Sequence, residues 1–416
     1  MKPRIGILSL GCPRNLVDSE GILGRLFKKG YEVVDIDKAQ VALVNTCAFI
    51  EEAKQESIEA ILELIDLKKK GKLKKVIVYG CLSQRYQSIL SQELSEVDAF
   101  VGRVSLNKEI DRFAITPPHY AYLKICEGCV NLCSFCVIPR IKGRLASLPV
   151  DSILDKVEQL SKEKISELNI VGQDITGYGL DLKSGTDLTK LVGRIVKKAK
   201  NIGWIRLLYL NPERINEDLL ELIREEKKIC KYIDLPIQHI NNRILKLMNR
   251  MISRDEIIKV IDKVRENVPG VALRTSIIVG FPGETDKEFA ELLEFVKEAR
   301  FEKLGAFKYS REEGTKAYDF KGQVSEAVKT ERFNQIMSLQ QEISLEINRK
   351  FIGMDLKVLV DECENGDYVG RSEFDAPEVD GLVYIKSNRK LKPGDFVDIE
   401  ITDTLEYDLV GDTLRA

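Results

Sequence analysis

Histidine is almost missing from this 416-residue chain, which has only His119 and His239. A histidine-dependent triad or a His-rich metal site is therefore not expected. No G-x4-G-K-[ST] loop is present to cradle nucleotide phosphates, and Gly11 alone is weak support for a dinucleotide-binding turn. No apolar run approaches the ~20 residues that cross a bilayer, so no membrane partner is expected. The stretch after Lys2 and Arg4 is too short for a signal peptide. It meets Arg14 and Asp18 at once and reads as a first strand. Charge of one sign is also lacking: 64 basic against 66 acidic residues leave −2, no overall bias toward nucleic acid. There is no internal repeat or low-complexity segment. What is present is an ordinary globular composition and a length that suits two or three domains. The expected compartment is the cytoplasm, where thiols stay reduced. Nine cysteines there point to metal binding or catalysis, not to disulfides.

The expected fold class is α/β, in three parts. In residues 1–115, apolar β-branched runs at Arg4–Leu10, Val41–Asn45 and Lys75–Tyr79 read as buried strands. A helical pattern over Ile50–Lys70 alternates with them, which implies a parallel sheet covered on both faces. In residues 116–345 the alternation continues. Strands are expected at Tyr120–Ile125, Glu167–Val171, Ile205–Tyr209, Tyr232–Leu235, Ala272–Val279 and Lys303–Lys308, with helices such as Asp151–Lys162 and Ser253–Asn267 between them. Six βα units make a partial or full β/α (TIM-type) barrel, whose active groups sit at the strands' carboxyl ends. A polar helix over Glu326–Lys350 leads out. Residues 346–416 carry short alternating strands with turns at 364–367 and 392–395, the pattern of a small OB-like β-barrel.

Cys129, Cys133 and Cys136 form C-x3-C-x2-C just beyond the Tyr120–Ile125 strand. Three thiolates on one tight loop can hold three irons of a 4Fe–4S cluster and leave the fourth open. S-adenosylmethionine (SAM) can chelate that iron through its amino and carboxylate groups, and an electron then releases a deoxyadenosyl radical. The alternative is zinc. Including Cys126 gives two C-x2-C pairs, but three residues between pairs are too few for a tetrahedral site. Cys126 reads better as a small buried hydrophobe. Phe135 could stack on adenine or be plain core. Cys12, Cys47 and Cys81 each fall at or just past the carboxyl end of an expected parallel strand, the usual ligand edge. They are candidates for a second three-cysteine cluster; otherwise they are three unrelated buried thiols. Cys230 and Cys363 fit no pattern.

The C-x3-C-x2-C loop resembles that of the radical SAM superfamily. The upstream cysteines and the terminal barrel resemble the methylthiotransferase family, over essentially the whole chain. Within it, SLGCPRNLVDSE (9–20), YSREEGT (309–315) and GRSEFDAPEVDG (370–381) look like the branch that modifies a ribosomal-protein aspartate. The tRNA-modifying, MiaB-like branch typically has GCQMN where this chain has Gly11-Cys12-Pro13-Arg14-Asn15. The resemblance implies a methylthiotransferase domain, a radical SAM barrel and a TRAM domain. It implies two 4Fe–4S clusters, held by Cys12, Cys47 and Cys81 and by Cys129, Cys133 and Cys136. It implies SAM contacts from Phe135, from Gly172-Gln173-Asp174 in place of a GGE motif, from Gln238, and from Gly280 in SIIVGFPGET (276–285). His239 reads equally well as structural, and no side chain is assigned acid–base catalysis.

The implied reaction places a methylthio group on the β-carbon of an aspartate in small-subunit ribosomal protein S-twelve. One SAM supplies the radical and a second the methyl group, with sulfur at the N-terminal cluster and electrons from a carrier such as flavodoxin or ferredoxin. The rivals are a tRNA (adenosine) methylthiotransferase, an iron–sulfur electron carrier and a nucleic-acid-binding barrel with structural zinc. Charge weighs against tRNA. Residues 351–416 hold 7 basic and 16 acidic groups, net −9, and the rest of the chain is +7. A barrel that grips phosphates should be basic. Glu373, Asp375, Glu378 and Asp380 are expected to form an exposed acidic surface that attracts a basic protein.

Overall fold

The computed structural model describes residues 2–104, 112–364 and 366–414. In the first part, five parallel strands make one sheet. Their order is Glu32–Val33, Arg4–Ser9, Val41–Thr46, Lys75–Gly80, Ala99–Val101. The three central strands are the expected ones. Val41–Thr46 is buried along its whole length, as a strand covered on both faces should be. The two edge strands are too short to stand out as apolar runs. Register aligns Ser9 with Asn45, Asn45 with Tyr79 and Thr46 with Gly80, so the three strands end together.

The second part is a sheet of six parallel strands in sequential order: Tyr120–Lys124, Glu167–Val171, Trp204–Leu207, Ile229–Asp234, Ala272–Val279 and Lys303–Lys308. The first and last strands do not pair, so this is a partial barrel. Alternation divides it cleanly. Leu168, Ile170, Ile205 and Leu273 face the surrounding helices in the main apolar core. Their neighbours Tyr120, Tyr122, Trp204 and Tyr232 face inward, where Leu16 and Val17 of the Pro13–Lys28 helix join them. The Glu326–Asn348 helix follows. The third part is a closed five-stranded barrel, which leaves no exposed sheet edge. Asn365, in the expected 364–367 turn, lies outside the described residues.

The acidic motif of the third part faces solvent less than expected: Asp375 is buried, Glu373 and Asp380 are half-buried, and Glu378 alone of the four is exposed. Arg371, Ser372, Asp375 and Ala376 are buried against the amino-terminal ends of the partial-barrel strands. Asp380 accepts from Tyr232 Oη at 2.7 Å and Arg274 Nε at 3.3 Å, and Asp375 pairs with Lys303 at 2.5 Å. Glu373 accepts from the Lys231 backbone, and Glu378 from Tyr120 Oη. These carboxylates meet cations, hydroxyls and a backbone N–H on the inward face of the partial-barrel strands. Other acids point outward: in Phe396–Thr404 burial alternates, and Asp398, Glu400 and Asp403 are exposed.

At the centre of this junction Glu167 is fully buried between Arg206 (2.8 Å) and Arg371 (2.8 Å), and Arg371 also grips Asp361 at 2.7 Å. Burial alone would raise the Glu167 carboxyl, but Arg371 and Arg206 more than offset it and hold it below its ordinary range. Glu167→Ala leaves Arg206 without a carboxylate and Arg371 with Asp361 alone, and is expected to cost about 3–5 kcal/mol, read as a lowered urea midpoint. A carboxyl with a depressed folded pKa stabilises above its unfolded value of ~4.3. That stability is lost as pH falls through the folded value, so the gap between wild type and variant starts to narrow only below the unfolded value.

Candidate functional site

Strand register builds the first half of the site. Cys12 caps the Pro13–Lys28 helix, Cys47 directly follows Val41–Thr46, and Cys81 opens the Cys81–Glu93 helix. Three aligned strand ends therefore bring the three thiols to one edge, two of them at helix N-termini that favour thiolate. The backbone makes room for them. Gly11 has φ +86°, and a Cβ there would lie 2.6 Å from Cys47 Cβ. Asn15, buried, ties the edge together. Its Nδ2 donates to Leu10 O (3.0 Å) and Thr46 O (3.3 Å), and Cys81 Sγ donates toward its Oδ1 at 3.8 Å. Burial pushes the Cys81 thiol up to about 12, and raises Cys47 as well. Burial acts the same way on Cys12, but Arg14, with Nε 3.3 Å from Cys12 Sγ, more than offsets it and lowers that thiol.

The second half is the loop after Tyr120–Lys124. The Asn131 backbone donates to Cys129 Sγ at 3.4 Å, and the Cys136 backbone donates to Cys133 O at 3.1 Å. Arg250 Nη1 approaches Cys133 Sγ at 3.9 Å. Burial, then the neighbouring Cys133, push the Cys136 thiol up to about 12. Among the described residues no three His, Cys, Asp or Glu side chains converge closely enough to hold one metal ion. A cubane asks for something different, since each thiolate bonds its own iron.

The second half opens on a cavity of about 290 Å³, which the first half reaches through Arg14; Cys12, Cys47 and Cys81 are not among its lining residues. Cys129, Cys133 and Cys136 line one side, and Arg14, Phe49 and Ile50 of the first part line the other. Two clasps hold the parts around it. In one, Lys142 and Lys124 pair with Asp18 and Glu127. In the other, Glu312, 1% exposed, takes Arg85 at 2.8 Å and Lys54 at 3.2 Å. That is the structural work of the YSREEGT segment.

The other expected residues divide. Phe135, Gln173, Asp174 and Gln238 all line the cavity. Gln173 Oε1 and Asn211 Nδ2 are buried there without a partner among the described residues, so the wall offers polar atoms to a polar ligand. Asp174 is already engaged. It accepts from Arg214 Nη1 at 2.7 Å, Asn131 Nδ2 at 2.7 Å and Thr176 N at 3.0 Å, which braces the cysteine loop. Gly172 lies behind the wall, where a Cβ would lie 2.7 Å from Cys126 Sγ. Gly280 is not among the lining residues. Its φ of +70° and lack of a Cβ make room for Lys329, while Ser276 and Ile278 of the same strand face the cavity. His239 is fully buried, accepts from Asn241 N at 3.0 Å and lies 3.6 Å from Glu284, a structural setting. Arg14, Asn15, Asn131, Tyr209 and Arg214 were not anticipated. The first two follow Cys12 closely in sequence and Asn131 lies between Cys129 and Cys133; Tyr209 and Arg214 carry no local signal.

Cys126 is fully buried and is not a cavity-lining residue. Cys126→Ala is expected to leave the iron content of the purified protein unchanged, at a stability cost of about 1 kcal/mol. Loss of iron in this variant would make it a ligand.

Among known families, residues 4–102 match the uncharacterized protein family UPF0004, 123–296 the radical SAM superfamily and 352–414 the TRAM domain. The chain is 46% identical to the ribosomal protein uS12 methylthiotransferase RimO of Thermoanaerobacter sp. (strain X514), over 98% of this chain and 99% of that one. It is 44% identical to that of Clostridioides difficile (strain 630), over 99% of each. Its fold is similar to that of the radical SAM methyltransferase TsrM from Kitasatospora setae, with TM-score 0.54 and 13% identity over 89% of this chain and 81% of that one. No helix among the described residues is long and apolar enough to cross a membrane. The chain belongs to the RimO family and is a radical SAM methylthiotransferase, an enzyme that works through SAM and an iron–sulfur cluster.

Proposed function

We propose that this enzyme methylthiolates the β-carbon of an aspartate in ribosomal protein uS12, in the cytoplasm. In this reading residues 1–115 hold one 4Fe–4S cluster through Cys12, Cys47 and Cys81. Residues 116–345 hold the other through Cys129, Cys133 and Cys136 and bind SAM, and residues 346–416 help to recognise the protein substrate. The observation that carries it is a cavity with one cysteine trio on its wall and, also on its wall, Arg14 in contact with Cys12 of the other. When bound, the clusters and two SAM molecules supply a hydrogen-abstracting radical, a sulfur atom and a methyl group, with electrons from a carrier such as flavodoxin or ferredoxin.

The chain's own residues position and enclose. Phe135 offers a ring to the adenine, and the Gln173 carbonyl oxygen, buried and free of partners, suits the SAM ammonium. Asp174 holds the cysteine loop against Arg214. Gln238, at φ +71°, presents its side chain at the wall from a backbone conformation that is costly away from functional sites. Apolar lining such as Ile278, Phe307 and Leu210 limits water at a reactive carbon. The outward acids Asp398, Glu400 and Asp403 suit a basic protein partner and repel tRNA.

The test is mass spectrometry of uS12 and of tRNA after incubation with SAM, reductant and sulfide. The expected result is one methylthio group on an aspartate of uS12 and none on tRNA. A methylthiolated nucleoside with unmodified uS12 would overturn the reading and promote a tRNA substrate.

A further inference from the structure

The charges around the cavity do not balance. Its two acids are matched, Asp174 by Arg214 and Glu312 by Arg85 and Lys54. Its cations are Arg14, Arg250 and Lys308. Arg250 is committed to Pro236 O at 3.0 Å and leans toward Cys133, and Lys308 lies 3.8 Å from Glu326. Arg14 has no carboxylate within ion-pair distance among the described residues. Glu127, whose field reaches it, is already held by Lys124 and Lys142.

Arg14 is nevertheless rigidly placed. Nε donates to Cys12 Sγ at 3.3 Å, Nη1 donates to Gly172 O at 2.9 Å, and the guanidinium lies 4.7 Å from the centre of the Tyr209 ring. Tyr209 is fixed in turn. It holds φ +65°, and its backbone N donates to Asp234 Oδ2 at 2.9 Å, with Asp234 paired to Arg274 at 3.2 Å. Two contacts and one stacked face fix the plane of the fork, and Nη2 has no hydrogen-bond partner among the described residues. A guanidinium so held is preorganised for a carboxylate.

The chemistry of the substrate says where such a carboxylate must sit. In aspartate the carbon that accepts sulfur is bonded directly to the carboxyl carbon. The carboxylate is therefore seated beside the reacting carbon, between the sulfur site and the radical site. Arg14 is the lining cation that touches a member of the Cys12 trio on one side and, through Gly172, the strand end that runs into Gln173 and Asp174 on the other. We propose that Arg14 is the specificity residue that seats the side-chain carboxylate of the substrate aspartate. This rests on the aspartate reading above and adds the group that tells aspartate from asparagine.

The test is equilibrium binding of labelled uS12, and of uS12 with the modified aspartate replaced by asparagine, to the reconstituted enzyme. Wild type should bind the aspartate form more tightly by about thirtyfold or more, the scale for one partner of a desolvated charge pair. Arg14→Met should erase that preference, and Arg14→Lys should keep part of it. Taking the ratio within each variant cancels any general loss of cluster or fold. Equal binding of the two forms by wild type overturns the proposal whatever the variants do, and so does an unchanged preference in Arg14→Met. A fall in SAM affinity with the preference intact assigns the cation to SAM instead. If wild type leaves uS12 unmodified in a parallel assay, it is the substrate reading that falls.

Discussion

Cys129→Ala is expected to bring reductive SAM cleavage down to background, a loss of at least about 10³-fold, or roughly 4 kcal/mol of barrier lowering. Three thiolates leave one iron open for SAM, and two cannot hold the cubane in place. The variant's effect should be local. The turn around Cys129 is braced by Asn131, Asp174 and Arg214 and by hydrogen bonds from Cys129 N to Gly143 O and from Ser134 N to Met248 O, none of which needs the sulfur. Burial raises the Cys129 thiol, so cluster assembly must remove its proton, and loading should weaken as pH falls. The checks are deoxyadenosine release and iron per chain. Wild-type release from this variant would remove the assignment of the loop.

Cys47→Ala is expected to give the complementary phenotype: deoxyadenosine is still released under reduction, but methylthio product falls to background. The substitution is nearly silent sterically. Alanine keeps the Cβ that Gly11 makes room for, and the hydrogen bonds between the Cys47 backbone and Ser57 Oγ, both 3.0 Å, remain. Only the sulfur that joins Cys12 and Cys81 at the sheet edge is lost. The measured quantity is the ratio of product to deoxyadenosine, which separates sulfur delivery from radical generation. Normal methylthiolation by Cys47→Ala would show that the upstream trio delivers no sulfur.

Much of this arrangement is legible in the sequence because parallel strands buried on both faces are continuous apolar runs. Val41–Thr46 and Lys75–Gly80 are plain for that reason, and once the strands are placed, topology alone brings Cys12, Cys47 and Cys81 to one edge. The edge strands Glu32–Val33 and Ala99–Val101 are too short to show. The acidic GRSEFDAPEVDG segment misleads for a different reason. Charge in a sequence reads as solvated surface, and only the buried Arg206 and the half-buried Arg274 and Lys303, scattered over three strands, reveal that most of it turns inward. Asp174 likewise looks free until Arg214 is seen beside it. The left-handed backbone at Tyr209 and Gln238, both on the cavity wall, has no sequence signal, because neither residue favours it.

The proposed pair of three-cysteine clusters is tested most directly by metal analysis of the anaerobically reconstituted full chain. The expected result is about eight irons and eight sulfides per chain, falling to about four of each in Cys129→Ala and in Cys47→Ala. About four of each in the wild type, or zinc in place of iron, would contradict it.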